Sequence, residues 1–129
     1  MAERNIQNDI RNGIIGLANM FRANIGQAWT GEATKLANGD ILLRNPRPFS
    51  TGLPKGFSDL FGWVKHEITE EDVGKTAAIF TAVEVKDTKG RVSPEQQNFI
   101  KAVNSAGGRA GIARSVGDAI KILNKNESI

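Results

Sequence analysis

Two charged side chains, Glu84 and Lys86, stand two residues apart at the end of a run carrying Ile79, Phe80, Val83 and Val85. The run is too short for a membrane span and too rich in β-branched and aromatic residues for a helix, so residues 77–86 read as a strand. Side chains alternate along a strand. Glu84 and Lys86 are therefore expected on one face, with Val83 and Val85 pointing the other way into the core. A carboxylate and an ammonium so placed, with a second carboxylate brought in from elsewhere, suit metal-dependent phosphodiester hydrolysis. The acids hold a hard cation, and the lysine steadies the attacking water or the phosphate charge. Taken alone, Glu-x-Lys is weak evidence, because strand faces touching water often carry such pairs and an ordinary solvated face is the better reading of an isolated match.

Composition narrows the chemistry. The 129 residues are enough for one domain with a real core, and the formal charge of +3 is compatible with a polyanionic partner without requiring one. With no cysteine there is neither a disulfide framework nor a thiolate zinc site, and the single histidine, His66, rules out a His-rich metal cluster. Any metal is expected to be oxygen-ligated. No run approaches eighteen apolar residues, and the N-terminus carries Arg4 and Asp9 among polar residues, so the expectation is a soluble, cytoplasmic protein without signal peptide or membrane span.

The elements that must position Glu84 and Lys86 follow from patterning. Ile6, Ile10, Ile14, Leu17, Ala18 and Phe21 recur at spacings of three and four, predicting an amphipathic helix over 4–22 that Gly13 and Gly16 weaken. Residues 25–43 read as two antiparallel strands around an Asn38-Gly39-Asp40 turn. Asn45-Pro46-Arg47-Pro48 and Gly52-Leu53-Pro54-Lys55-Gly56 read as a basic loop without regular structure. Alternation over 59–67 predicts a strand pairing beside 77–86, with Asp59 at its start. Thr69-Glu70-Glu71-Asp72 reads as a capping box opening a single helical turn that Gly74 closes, a sufficient account of that acidic cluster. Ser93-Pro94-Glu95-Gln96 places Ser at N-cap, Pro at N1 and Gln at N3 of a helix that Gly107-Gly108 ends. Residues 109–114 make a last strand, and Ser115 caps a terminal helix. The order is α-β-β-β-β-α-β-α, a mixed α/β sheet flanked by helices. His66 reads as a strand-end side chain before a general base, and Trp29 and Trp63 as core or interface before base-stacking platforms.

Gly56-Phe57-Ser58-Asp59-Leu60, Val83-Glu84-Val85-Lys86, Gly90-Arg91-Val92-Ser93-Pro94-Glu95-Gln96, Ala106-Gly107-Gly108 and Arg114-Ser115-Val116 occur in an order and spacing that resemble the VRR-NUC family of virus-type replication and repair nucleases, from about residue 3 to 120. That family is a branch of the PD-(D/E)xK superfamily, and small stand-alone members are typical of bacteriophages and prophages. The resemblance implies a restriction-endonuclease-like core in which Asp59 and Glu84, joined by the carbonyl of Val85, bind Mg2+ or Mn2+ while Lys86 assists the hydrolytic water. Gln96 matches the glutamine following the family's Ser-Pro and lines the same cleft. Glu3 stands where the family places a helix-1 glutamate reaching the metal, with Gln7 one turn on; a dipole-favoured acid at a helix start accounts for Glu3 equally well.

Arg22, Asn24 and Gly26 match an Arg-Asn-x-x-Gly segment, with Ala23 where asparagine is common, which suggests a DNA-backbone role for Arg22. Lys89 and Arg91 on the turn, and Arg44, Arg47 and Lys55 on the proline loop, are candidate phosphate contacts, each also explicable as an ordinary solvated side chain. What the resemblance implies is a metal-dependent endonuclease selective for branched DNA such as Holliday junctions, acting as a homodimer in a bacterial cell and encoded by phage or prophage. A non-catalytic DNA-binding module of the same fold is the alternative, because fold does not fix activity. A structural protein of the phage particle is a third class.

Overall fold

The computed structural model describes residues 2–24 and 27–124. They form a mixed α/β protein in the order α1 (Ala2–Gly13), β1 (Asn19–Arg22), β2 (Gln27–Lys35), β3 (Ile41–Ser50), β4 (Leu60–Trp63), a 3-10 turn (Glu70–Asp72), β5 (Thr81–Val85), α2 (Pro94–Ser105), β6 (Arg109–Ala113) and α3 (Val116–Leu123). The chain divides into two compact units, Met1–Gly62 and Trp63–Ile129. No helix among the described residues is long and apolar enough to cross a membrane.

In the first unit, α1 stops at Gly13 and the chain becomes extended again at Asn19–Arg22, where a helix to residue 22 was expected. Two glycines within four residues lower helix propensity below what the apolar spacing can support, and Met20 and Phe21 suit a strand equally well. β1 pairs with β4, and the ladder is extended by the Ala23 N–H donating to the Asp59 carbonyl at 2.9 Å. Phe61 on β4 meets Phe21 at 5.8 Å and Phe57 at 5.4 Å between ring centroids.

β2 and β3 form the antiparallel hairpin read around Asn38-Gly39-Asp40. The Leu36 N–H donates to the Asp40 carbonyl, the Gly39 N–H to the Leu36 carbonyl, and the Asn38 side chain accepts from the Asp40 N–H. β3 continues to Ser50, so Asn45–Pro48 is strand and not the irregular loop expected of it. Two features reconcile the prolines with the ladder. The sheet has two strands, so β3 is an edge strand, and the register slips between Thr30 and Glu32, where Gly31 faces two residues, Asn45 and Pro46. Asn45 takes the left-handed conformation of such a bulge at φ 51°. The expected first residues of this hairpin, Ile25 and Gly26, lie outside the described residues.

In the second unit β5 and β6 run parallel, in register from Thr81 with Arg109 to Val85 with Ala113. A parallel pair needs a crossover, and α2 supplies it. Ser93 and Gln96 form the expected capping box: the Gln96 N–H donates to Ser93 Oγ at 3.1 Å, and the Ser93 N–H to Gln96 Oε1 at 3.0 Å. At the other end the Gly108 N–H reaches the Val103 carbonyl and the Gly107 N–H the Asn104 carbonyl, with Gly107 at φ 97°, a Schellman motif that turns the chain into β6. Val103, Ala110, Ala113 and Ile122 are the buried hydrophobic residues among those described, and all lie in this unit.

Two further expectations are corrected here. Residues 59–67 yield only the short strand Leu60–Trp63, whose partner is β1, while the partner of β5 is β6. Backbone pairing between strands distant in sequence leaves no trace in the alternation that suggested the strand. Val83 and Val85 do not enter the core: they are 37% and 74% exposed, and the half-buried face of β5 is the one bearing Ala82, Glu84 and Lys86.

Candidate active site

Glu84 lies on β5, held beside β6 by the parallel ladder, and its side chain keeps 30% of its exposure. Lys86, two residues on and on the same face, brings its Nζ to 3.8 Å from Glu84 Oε1 and is itself 22% exposed. The opposite flank comes from α2, whose first turn carries Gln96. Because Gln96 Oε1 is engaged by the Ser93 N–H, the amide can present only its nitrogen outward, and Nε2 donates to Glu84 Oε1. Both donors thus meet one carboxylate oxygen, and no hydrogen bond to Oε2 occurs among the described residues. Beside this group a recess of about 330 Å3 opens between β5 and α2, lined in part by Glu84, Glu95, Gln96, Phe99 and Ile100.

The loop leaving β5 is tied down. The Asp87 carboxylate accepts from the Lys89 N–H at 3.0 Å, and the Arg114 guanidinium donates to the Asp87 carbonyl from the far end of β6. The Lys86 N–H donates to the Ala113 carbonyl at 3.1 Å, carrying the ladder one residue beyond the strand. Lys89 and Arg91 are exposed. Arg114 was met in the sequence only as part of a motif and Glu95 only as a helix-start residue; the position of Glu95 next to Gln96 is the signal that would have placed it in the recess.

Asp59 belongs to the first unit, exposed at the start of β4, where its carbonyl is bound by Ala23 and the neighbouring Phe57 ring packs on Phe61. A turn closed by the Phe57 N–H on the Pro54 carbonyl at 3.0 Å precedes it and leaves Lys55 exposed. Arg22 on β1 is exposed, as are Arg44 and Arg47 on β3. Glu3 sits exposed in the first turn of α1, and Gln7, one turn on, is half-buried. The two tryptophans separate. Trp63 packs on Phe80 and Phe99 at centroid distances of 4.8 and 6.3 Å, whereas Trp29 on the hairpin is 63% exposed. His66 lies beyond β4, its Nε2 2.8 Å from Asp72 Oδ2, which satisfies it without any catalytic partner. The Asp72 carboxyl is held below its ordinary value, first by the Thr69 N–H and then by the His66 side chain.

Comparison with protein families closes the question of kinship: the profile of the VRR-NUC domain matches residues 40–117, more than half of the chain. The chain belongs to the VRR-NUC family. No match was found among curated proteins or among solved structures. VRR-NUC is a nuclease family acting on DNA, so the chemistry is hydrolysis, and nucleases of the PD-(D/E)xK type generally use divalent metal ions. The matched span takes in β3, Asp59, the whole of the Glu84–Lys86–Gln96 group and the start of α3. Among the described residues of this VRR-NUC chain no group of three His, Cys, Asp or Glu side chains is gathered around one point. What the Glu84 group offers is a carboxylate whose Oε2 has no protein donor, the kind of oxygen a hard cation takes, in a sequence without cysteine.

Proposed function

We propose that this VRR-NUC protein is a metal-dependent endodeoxyribonuclease selective for branched DNA such as four-way junctions, working as a homodimer so that a two-fold substrate meets two sites. The observation that carries the reading is the Glu84 carboxylate held between the Lys86 ammonium and an oriented Gln96 amide on one strand face. In the proposed site Asp59, Glu84 and the Val85 carbonyl would hold Mg2+ or Mn2+, with Glu3 as a further ligand. A divalent ion bound there supplies Lewis-acid stabilisation of the charge that builds on phosphorus.

The chain's own residues supply the rest. Lys86 orients a water in line with the leaving oxygen; the new P–O bond forms as the bond to that oxygen breaks, the attacking water loses its proton to solvent, and the leaving oxygen takes one up from solvent. Gln96 fixes the rotamer of Glu84, so that Oε1 stays occupied and Oε2 is the oxygen that would be offered to a cation. Arg22, Arg47, Lys55, Lys89 and Arg91 contact phosphates, fixing position without reading bases. The test is cleavage of labelled four-way junction and linear duplex with Mg2+ or Mn2+. Junction is expected to be cut in preference, and Glu84→Gln, Lys86→Ala and Asp59→Asn each to abolish cutting. Binding without cutting by the unsubstituted protein would leave a non-catalytic DNA-binding module in its place.

A further inference from the structure

The β2–β3 hairpin carries an arrangement of which the proposed nuclease uses only one member, Arg47, as a single phosphate contact. Arg44 and Arg47 are three residues apart, and in an uninterrupted strand they would project from opposite faces. The bulge at Asn45-Pro46 adds one residue and resets the alternation. Thr30 opposes Arg47 and Glu32 opposes Arg44, and because Thr30 and Glu32 are two apart on β2, both arginines share their face. All four line one open recess of about 610 Å3. Both arginines are exposed, and neither forms an ion pair with a carboxylate among the described residues, Glu32 included. The backbone is built for the slip: a Cβ at Gly31 would stand 2.7 Å from the Arg44 carbonyl oxygen.

We propose that Arg44 and Arg47 are a phosphate clamp for the nucleic-acid backbone, created by the bulge. Two arginines on ladder positions two residues, about 7 Å, apart along β2 suit a polymer carrying a charge every ~3.4 Å of axis per strand. Arginine's planar fork holds phosphate oxygens in pairs. An open strand face suits an extended chain of phosphates better than one small anion, which needs enclosure to be held. Glu32, across the ladder from Arg44, opposes the anion, so removing its charge strengthens the clamp. The proposal rests on the nuclease reading only for the identity of the polyanion.

The experiment measures binding of the full chain to labelled junction and duplex DNA across a salt series, in chelator so that nothing is cut. Arg44→Ala and Arg47→Ala are each expected to weaken binding about tenfold at low salt and to lower the slope of log affinity against log salt by about 1. Arg44→Lys keeps the slope. Glu32→Gln tightens binding, a change that a merely structural role would not produce. Gly31→Ala alters no charge, yet weakens binding by shifting the Arg44 backbone; circular dichroism of each variant verifies the fold. Unchanged affinity and slope in both alanine variants overturns the clamp, and displacement of DNA by polyglutamate at equal charge overturns nucleic acid as its occupant. Cleavage with Mn2+ is scored separately. A failed nuclease reading leaves the salt slopes intact, and a failed clamp leaves cutting intact.

Discussion

At Gln96 one amide meets two demands: Oε1 accepts the Ser93 N–H at the start of α2, and Nε2 donates to Glu84. Substitution separates them. Glutamate at this position is an equally good capping-box partner, so Gln96→Glu should leave stability in urea nearly unchanged while setting a second carboxylate against Glu84; if Glu84 is the metal ligand proposed above, cleavage should fall at least tenfold. Gln96→Ala loses both contacts and should cost about 1 kcal/mol besides activity. A Gln96→Glu protein as active as the original would show that the amide acts only on the helix. Asp72 yields a prediction of a different kind. Its carboxyl is lowered by the Thr69 N–H and by His66, so the folded form binds its proton less readily than the unfolded chain does. The resulting stability is fully present above the ordinary carboxylate range and is lost as pH falls through the lowered value. His66→Ala should move the Asp72 titration, followed by carboxyl NMR, back upward, though only in part, because the Thr69 N–H remains.

Elements differ in how much of them a sequence discloses, and α2 shows the favourable case. Its start needs only Ser93, Pro94 and Gln96, its end only Gly107 and Gly108, and all of these act on neighbouring backbone. The cost of breaking such a signal is correspondingly local: Gly107→Ala, forced to φ 97°, should destabilise by about 1–2 kcal/mol, read from the urea midpoint at unchanged slope. β3 shows the opposite case. Pro46 and Pro48 argue for a loop unless the strand has a free edge and a bulge, and both are properties of the pairing with β2. Asn45→Gly should therefore be neutral or mildly stabilising, whereas Asn45→Val, a β-branched residue at φ 51°, should cost about 1–2 kcal/mol. The same division runs through the site. Alternation revealed that Glu84 and Lys86 share a face; the capping motif placed Gln96 at N3 of α2, and only the resemblance to VRR-NUC nucleases put it in the cleft. Which face of β5 would be covered depends on what packs there, so Val83 and Val85 were misread.

For the whole molecule the question is whether one cation draws on acids from both compact units, since the VRR-NUC match runs across their boundary and Asp59 lies on one side with Glu84 on the other. Linkage answers it without DNA. A ligand bound only by the folded state adds stability that grows with its concentration, about 2.7 kcal/mol at a hundred times its Kd. If Asp59 and Glu84 hold the same ion, Asp59→Asn and Glu84→Gln should each remove most of the Mn2+-dependent rise in unfolding temperature, and the double variant should lose little more than either alone. Two independent sites would give losses that add, because distant groups without shared partners contribute separately. Strongly non-additive losses, with the metal-free unfolding temperature unchanged by either substitution, are the expected result. Additive losses would detach Asp59 from the Glu84 site while leaving the arrangement of Lys86 and Gln96 around Glu84 intact.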